Sequence, residues 1–416
     1  MKWIKYILLA MLSIFVSCNT NLEYLEPEYL DGSILDGTST IPDNIKSNFE
    51  GIYNIKNGSD TFGDRVAFKW VGDKLIVYGS KFGSYFKLGG GVQDTVFLFE
   101  GSWRHMQNVD VGLLRLKISV EDGALDLWNN SVKPGSVKLK GSFGFEDNPN
   151  QKELTLEYYR PFSEEAKNSK FLIVAHRGGG RNSDYLGASE NTLEMIAMAE
   201  ELGGNGIEID VKLSKDNIPF LYHDKNINLR LTQESPIQGP IEDFTFSQLR
   251  TFVRLKNGER IPSVKEALEF VLMKTTLRFV WLDMKSTKNA MPFVIPIQQD
   301  IMKRTKEMGR DLVVVIGIPN EDKQALFLEY PNSQNIESIN EMTVDDVRKT
   351  NSYAWGPRWT MGSQTSLVRE IHSEGRIAIT WTVDQIQFIT TFINESEFDG
   401  FVTNYPTIVA YYNYAR

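Results

Sequence analysis

Between Ser47 and Pro161 the chain alternates apolar and polar residues in short runs: GDRVAFKW, DKLIVYG, DTVFLFEGSW, GLLRLKISV, GSVKLKGSF and KELTLEYY. Period two is the strand period, and Gly58, Asn108, Gly123, Gly135 and Asn148 punctuate the runs as turn residues do. Strands at this spacing, with no helical run among them, predict an all-β barrel or sandwich over residues 47–161. After the polar stretch PFSEEAKNSK the pattern changes. Short apolar runs at Phe171–Ala175, Gly206–Leu213, Ile218–Tyr222, Arg278–Met284, Leu312–Ile316, Arg376–Trp381 and Gly400–Thr403 read as buried strands. Between most of them lie helical patterns such as TLEMIAMAEELG, SVKEALEFVLMK, IPIQQDIMKRTKEMG and QTSLVREIHSEG. Asn191, with Glu194 three residues on, is the expected N-cap of the first helix. Repeated βα units over residues 171–416 predict an α/β domain, a (β/α)8 TIM barrel. Its eighth strand is expected from 334–339 or from 352–355.

The first residues form an address. Lys2 and Lys5 precede the apolar run YILLAMLSIFVS, which is too short to span a bilayer and fits the core of a signal peptide covering residues 1–17. Cys18 is the only cysteine of the chain, so it has no internal disulfide partner. Its place directly after a small residue resembles the lipobox of bacterial lipoproteins. That resemblance implies a lipidated Cys18, a tether over residues 18–46, and an extracytoplasmic protein anchored on the periplasmic or cell-surface side of a bacterial membrane. With 416 residues, 41% hydrophobic, the remainder has room for two domains, and a net charge of -9 without basic clusters argues against nucleic acid as a partner. Phe68, Trp70, Tyr78, Phe97, Phe99 and Trp103 crowd the β module. They either fill its core, the stronger reading, or line a cleft for a glycan or lipid ligand.

Chemistry collects at the ends of the predicted barrel strands, where such barrels carry their active sites. His176 and Arg177 follow the first strand, and His223 and Asp224 the third. Glu208 and Asp210, two residues apart on a strand, share a face, as a divalent-cation site requires. Asp283 and Lys285 close the run WLDMK.

Taken in order, HRGGG, ENT at Glu190 to Thr192, IEIDVKLSKDNIPFLYHD, LDMK, WTVD at Trp381 to Asp384 and DGFVTNYP at Asp399 to Pro406 resemble the glycerophosphodiester phosphodiesterase family over residues 171–413. The resemblance implies metal-dependent hydrolysis of small glycerophosphodiesters to glycerol 3-phosphate and an alcohol through a cyclic phosphate. It implies that His176 and His223 are the acid and base, that Glu208, Asp210 and Asp283 hold one Mg2+ or Ca2+, and that Arg177 and Lys285 bind phosphate. Asp283 stands where the family usually has glutamate. Trp381 is expected to pack against substrate, and Glu190 to support the histidines from behind. Two enzyme alternatives share the residues, a lysophospholipase D and a glycerophosphodiesterase of a surface polymer. The third reading is a non-catalytic surface lipoprotein that binds ligand.

Overall fold

The computed structural model describes residues 27–108 and 110–416. The expected leader, residues 1–17, and Cys18 lie outside the described residues. The first domain is a closed antiparallel barrel of eight strands: β1 (Gly51–Asn57), β2 (Arg65–Val71), β3 (Lys74–Gly79), β4 (Ser84–Gln93), β5 (Val96–His105), β6 (Val111–Ile118), β7 (Lys138–Phe145) and β8 (Lys152–Arg160). Each strand pairs with its sequence neighbour, and β1 with β8 closes the ring, giving an up-and-down barrel. Sequence patterning missed β1 and β4. In β4 the alternation is broken by Gly89, Gly90 and Gly91, and β1 carries register shifts against β8. Phe68, Phe97, Phe99 and Trp103 are buried together in this barrel's core, so they fill it. Their burial removes the basis for a glycan or lipid cleft built on them. Tyr78 is buried at a different place, the seam with the second domain.

The described part of the expected tether is also packed. The Tyr29 hydroxyl donates to the Leu114 carbonyl at 2.6 Å and accepts the Gly101 amide at 2.9 Å, Arg115 pairs with Asp31 at 2.7 Å, and Ser39 and Thr40 pair with β4. Any free tether is therefore shorter than residues 18–46.

The second domain is a parallel eight-stranded barrel. Its strands are β9 (Leu172–Ala175), β10 (Gly206–Leu213), β12 (Phe279–Asp283), β13 (Val313–Ile318), β14 (Ser338–Asn340), β15 (Ala354–Trp355), β16 (Ile377–Thr380) and β17 (Gly400–Thr403). Pairing of β9 with both β10 and β17 closes it. Helices α1 (Leu193–Met198), α2 (Val264–Lys274), α3 (Met291–Glu307), α4 (Glu321–Leu328), α5 (Val344–Thr350), α6 (Thr365–Ser373), α7 (Ile386–Glu395) and α8 (Pro406–Ala415) follow the strands in turn.

The expected strand at 218–222 is not part of this barrel. The segment β11 (Pro219–Leu221) runs antiparallel to β10, with Val211 opposite Leu221. Only a tight turn separates the two strands, and a parallel crossover needs a dozen or more residues. Both candidate regions for an eighth strand consequently contribute one, β14 and β15. Asn191 is not the cap of α1 either: Thr192 accepts from the Met195 amide at 3.0 Å.

The two barrels share one apolar cluster, in which Tyr78, Tyr85 and Met106 of the first meet Leu186, Leu202, Ile408, Val409 and Tyr411 of the second. Contact with α8 is close enough to require glycine. A Cβ on Gly83 would stand 2.7 Å from Ile408, and one on Gly203 2.5 Å from the Ala410 Cβ. Among the described residues no helix is long and apolar enough to cross a membrane.

Candidate active site

Two neighbouring strands build the acidic centre. On β10, Glu208 and Asp210 share a face because the strand period is two. In the parallel register Asp210 stands directly beside Asp283 of β12. One oxygen from each of the three carboxylates lies within 4.8 Å of the others. Glu208 Oε1, Asp210 Oδ1 and Asp283 Oδ1 are buried without a hydrogen-bond partner, an arrangement that is costly unless a cation takes those lone pairs. Burial, reinforced by the charges of Asp210 and Asp283, pushes the Glu208 carboxyl well above its usual range. Burial raises Asp283 as well, against the opposing charge of Lys285. The residues thus fit a hard divalent cation, for which an all-oxygen donor set is suited.

Cations surround this centre. Lys285 Nζ lies 2.6 Å from Asp283 and 3.9 Å from Asp210. The Arg177 amide donates to Glu208 at 2.9 Å, and its guanidinium reaches Glu190 at 2.7 Å. Arg177 Nε is buried with no hydrogen-bond acceptor, so the site offers an unsatisfied donor beside unsatisfied acceptors.

His176 follows β9, and its Nε2 is 3.6 Å from Glu208 Oε2. Its Nδ1 meets Asn404 Oδ1 at 2.7 Å. Which atom of Asn404 faces the ring is settled by Asp384, a pure acceptor that takes the Asn404 side-chain amide at 2.6 Å and its backbone amide at 2.8 Å. The Asn404 oxygen must then face His176, Nδ1 must carry the proton, and Nε2 is left as the basic nitrogen. Burial, with help from the Arg177 charge, lowers the His176 pKa to about 4.

His223 arrives by the hairpin rather than by a barrel strand. Continued two residues beyond Leu221, the antiparallel register brings it back to the level of Glu208 and Asp210. It stands close enough to Asp283 for its charge to lower that carboxyl's pKa. Its Nδ1 meets Asp224 at 2.7 Å. Burial would raise Asp224, but hydrogen bonds from Arg230, His223 and Asn228 outweigh it and hold the carboxyl well below its ordinary range. Asp224 therefore stays an anion, and His223 Nε2 is again the nitrogen left for chemistry.

Trp381 sits half-buried just beyond β16, its indole donating to the Gly356 carbonyl at 2.8 Å and its ring under the Arg358 guanidinium at 4.8 Å. Glu190 touches neither histidine. It binds Arg177 directly and Arg230 at 3.4 Å, and reaches His223 only through Arg230 and Asp224.

Sequence reasoning gave no role in the site to Asn404, Asp384, Asn191, Arg230 or Glu341. The first three stand inside quoted motifs, so a signal existed without a role. Asn191 clasps one strand residue from the loop, donating to Asp210 Oδ2 at 2.8 Å and accepting the Asp210 amide at 2.9 Å. Glu341, just past β14, has a buried Oε1 with no partner, and burial together with the Asp283 charge pushes its pKa up to about 8.

Compared with known proteins, residues 176–408, more than half of the chain, match the profile of the glycerophosphoryl diester phosphodiesterase family. The chain belongs to that family. A glycerophosphodiester phosphodiesterase of Caldanaerobacter subterraneus subsp. tengcongensis is 32% identical over 154 residues, 36% of this chain and 58% of the relative. Glycerophosphodiester phosphodiesterase 1 of Mus musculus is 34% identical over 150 residues, 34% of this chain and 40% of the relative. These matches thus span only about half the length of the curated relatives. A glycerophosphodiester phosphodiesterase structure from Parabacteroides distasonis has a TM-score of 0.48 at 21% identity, covering 60% of this chain and 98% of that one. All of these matches cover only part of the chain.

Proposed function

We propose that this family member hydrolyses glycerophosphodiesters to glycerol 3-phosphate and an alcohol, using one Mg2+ or Ca2+ held by Glu208, Asp210 and Asp283. One observation carries the reading: two imidazoles, each with Nδ1 tied to a fixed partner, flank a carboxylate trio whose inner oxygens lack partners. A bound cation would withdraw charge from the phosphate oxygens and help hold the diester in place. Arg177, with its free Nε, and Lys285 hold the phosphate. His176 Nε2 takes the proton from the substrate's C2 hydroxyl, whose oxygen attacks phosphorus and closes a cyclic phosphate. The departing alcohol oxygen takes a proton from His223. Water then opens the ring with the two roles reversed. The reading of His176 as first base is supported by burial, which disfavours its charged form, and by the Asn404 contact, which places its proton on Nδ1. Trp381 offers the substrate an aromatic wall stiffened by Arg358.

The test is a release assay on the chain without its leader, using glycerophosphocholine, glycerophosphoethanolamine and a lysophospholipid, each with and without EDTA. Metal-dependent release of glycerol 3-phosphate supports the reading. Turnover confined to the lysophospholipid would favour the lysophospholipase D alternative. A lack of turnover on all three, with cation still bound, would favour the non-catalytic reading. For location we propose a lipid anchor on Cys18. Cys18→Ser should move the protein from the membrane fraction to the soluble one, and unchanged partition would exclude the anchor.

A further inference from the structure

The loop between Arg177 and Glu190 is seated on the other domain. Arg104 is the penultimate residue of strand β5 of the N-terminal barrel, where its backbone pairs with Tyr85 on one side and Val111 on the other. Its side chain is buried at 8% exposure and crosses the seam. Arg104 Nη1 donates to the Tyr185 carbonyl at 2.7 Å, and Nη2 to the Asp184 carbonyl at 3.0 Å. A planar fork holding two successive carbonyls fixes the direction of the backbone as well as its position. The segment needs such a hold, because Tyr185 is a bulky residue in the left-handed region at φ 51. Leu186 and Ala188 add an apolar hold, buried in the cluster that contains Tyr85 and Met106.

What the fork holds is connected to both halves of the catalytic apparatus. Asn182 donates its backbone amide to Glu190 at 3.0 Å and accepts the Glu190 amide at 2.8 Å, and Glu190 holds Arg177. Asp184 accepts from Arg181, which donates to the Tyr405 hydroxyl at 3.1 Å, next in sequence to the Asn404 that orients His176. The Asn182 side chain donates to the Arg230 carbonyl at 2.9 Å, and Arg230 binds Asp224, the partner of His223.

We propose that the N-terminal barrel is a positioning domain for the active site, acting through Arg104, a positioning residue that keeps the 181–190 loop in the geometry the phosphate-binding Arg177 requires. The role rests on the phosphodiesterase reading. It gives the first domain a task that needs no ligand of its own, in keeping with a core filled by its own aromatics.

The experiment compares the full chain with Arg104→Met, which keeps the apolar stem but loses the fork, and with Arg104→Lys, which offers one compact charge. The readouts are kcat and KM on a glycerophosphodiester, hydrogen exchange of residues 182–190, and thermal midpoint. Arg104→Met is expected to lower kcat/KM by about 10- to 100-fold, the scale of a displacement near 1 Å, with faster exchange in the loop and protection elsewhere unchanged. Arg104→Lys should fall between it and the parent. The proposal is overturned if Arg104→Met keeps kcat/KM within about twofold and loop exchange as in the parent, or if activity falls only in proportion to the folded fraction. Should the parent hydrolyse no glycerophosphodiester, the proposed function fails, and loop exchange still decides whether Arg104 holds the loop.

Discussion

Asn404 shows how much of a histidine's chemistry is decided by its neighbour. Asp384 fixes the amide, the amide fixes the proton on His176 Nδ1, and Nε2 is left to act. Asn404→Ala should therefore lower kcat by at least about tenfold with KM nearly unchanged, because the ring loses its tautomer control. His176→Ala or His223→Ala should cost about two orders of magnitude or more, with the fold intact. Steady-state kinetics with a melting curve check all three, and a fully active Asn404→Ala would detach the asparagine from the mechanism. The sign of the pH dependence follows from burial. Since the folded protein disfavours a charged His176, lowering its pKa to about 4, the proposed base stays competent below the ordinary histidine range near 6.5. The acid limb of kcat/KM should accordingly lie below about 6.5, and a limb at or above it would give the first proton transfer to another group. The same shift makes its contribution to stability complete above the unfolded value near 6.5 and progressively lost as pH falls toward 4.

At the scale of the element, the strands say why part of the site was legible and part was not. Glu208 and Asp210 follow from period two on β10, and HRG, LDMK and the two histidines follow from ordered motifs. The hairpin misled, since β11 is an apolar run ending in a histidine like a barrel strand, and only the short connection to β10 distinguishes it. Arg230 and Glu341 carry no local signature, because their partners are brought near by tertiary structure alone. The pairing of Asp210 with Asp283 makes a further prediction. Burial favours the protonated forms of Glu208 and Asp283, so a cation competes with protons for these carboxylates, and affinity for Mg2+ or Ca2+ should rise with pH. Calorimetric titrations at several pH values measure this, and pH-independent affinity would remove these carboxylates from the ligand set. Asp283→Asn should weaken the cation by about tenfold or more, whereas Asp283→Glu should be tolerated.

For the whole molecule, the sequence divides the chain correctly into a β module and a (β/α)8 barrel, but no pattern reveals that the two share a core. Tyr78, Tyr85 and Met106 look like ordinary strand residues until Ile408 and Tyr411 are laid against them. Removing residues up to 161 should expose a contiguous apolar face on the second barrel, with aggregation or a markedly lower melting point as the result. Size-exclusion chromatography of that fragment is the check, and a monodisperse fragment of parental melting point would mean that the seam contributes little.

Helix α8 bears on how such a molecule is made. It belongs to the second barrel, yet Ile408 sits against Gly83 of the first, and the Arg160 guanidinium of the first grips the carbonyl of Ala415. A ribosome delivers the first domain long before it delivers this helix, so the nascent chain carries a sticky, half-finished surface for most of its synthesis. Chaperone dependence in the cell should track the timing of that late delivery more closely than the stability of either barrel.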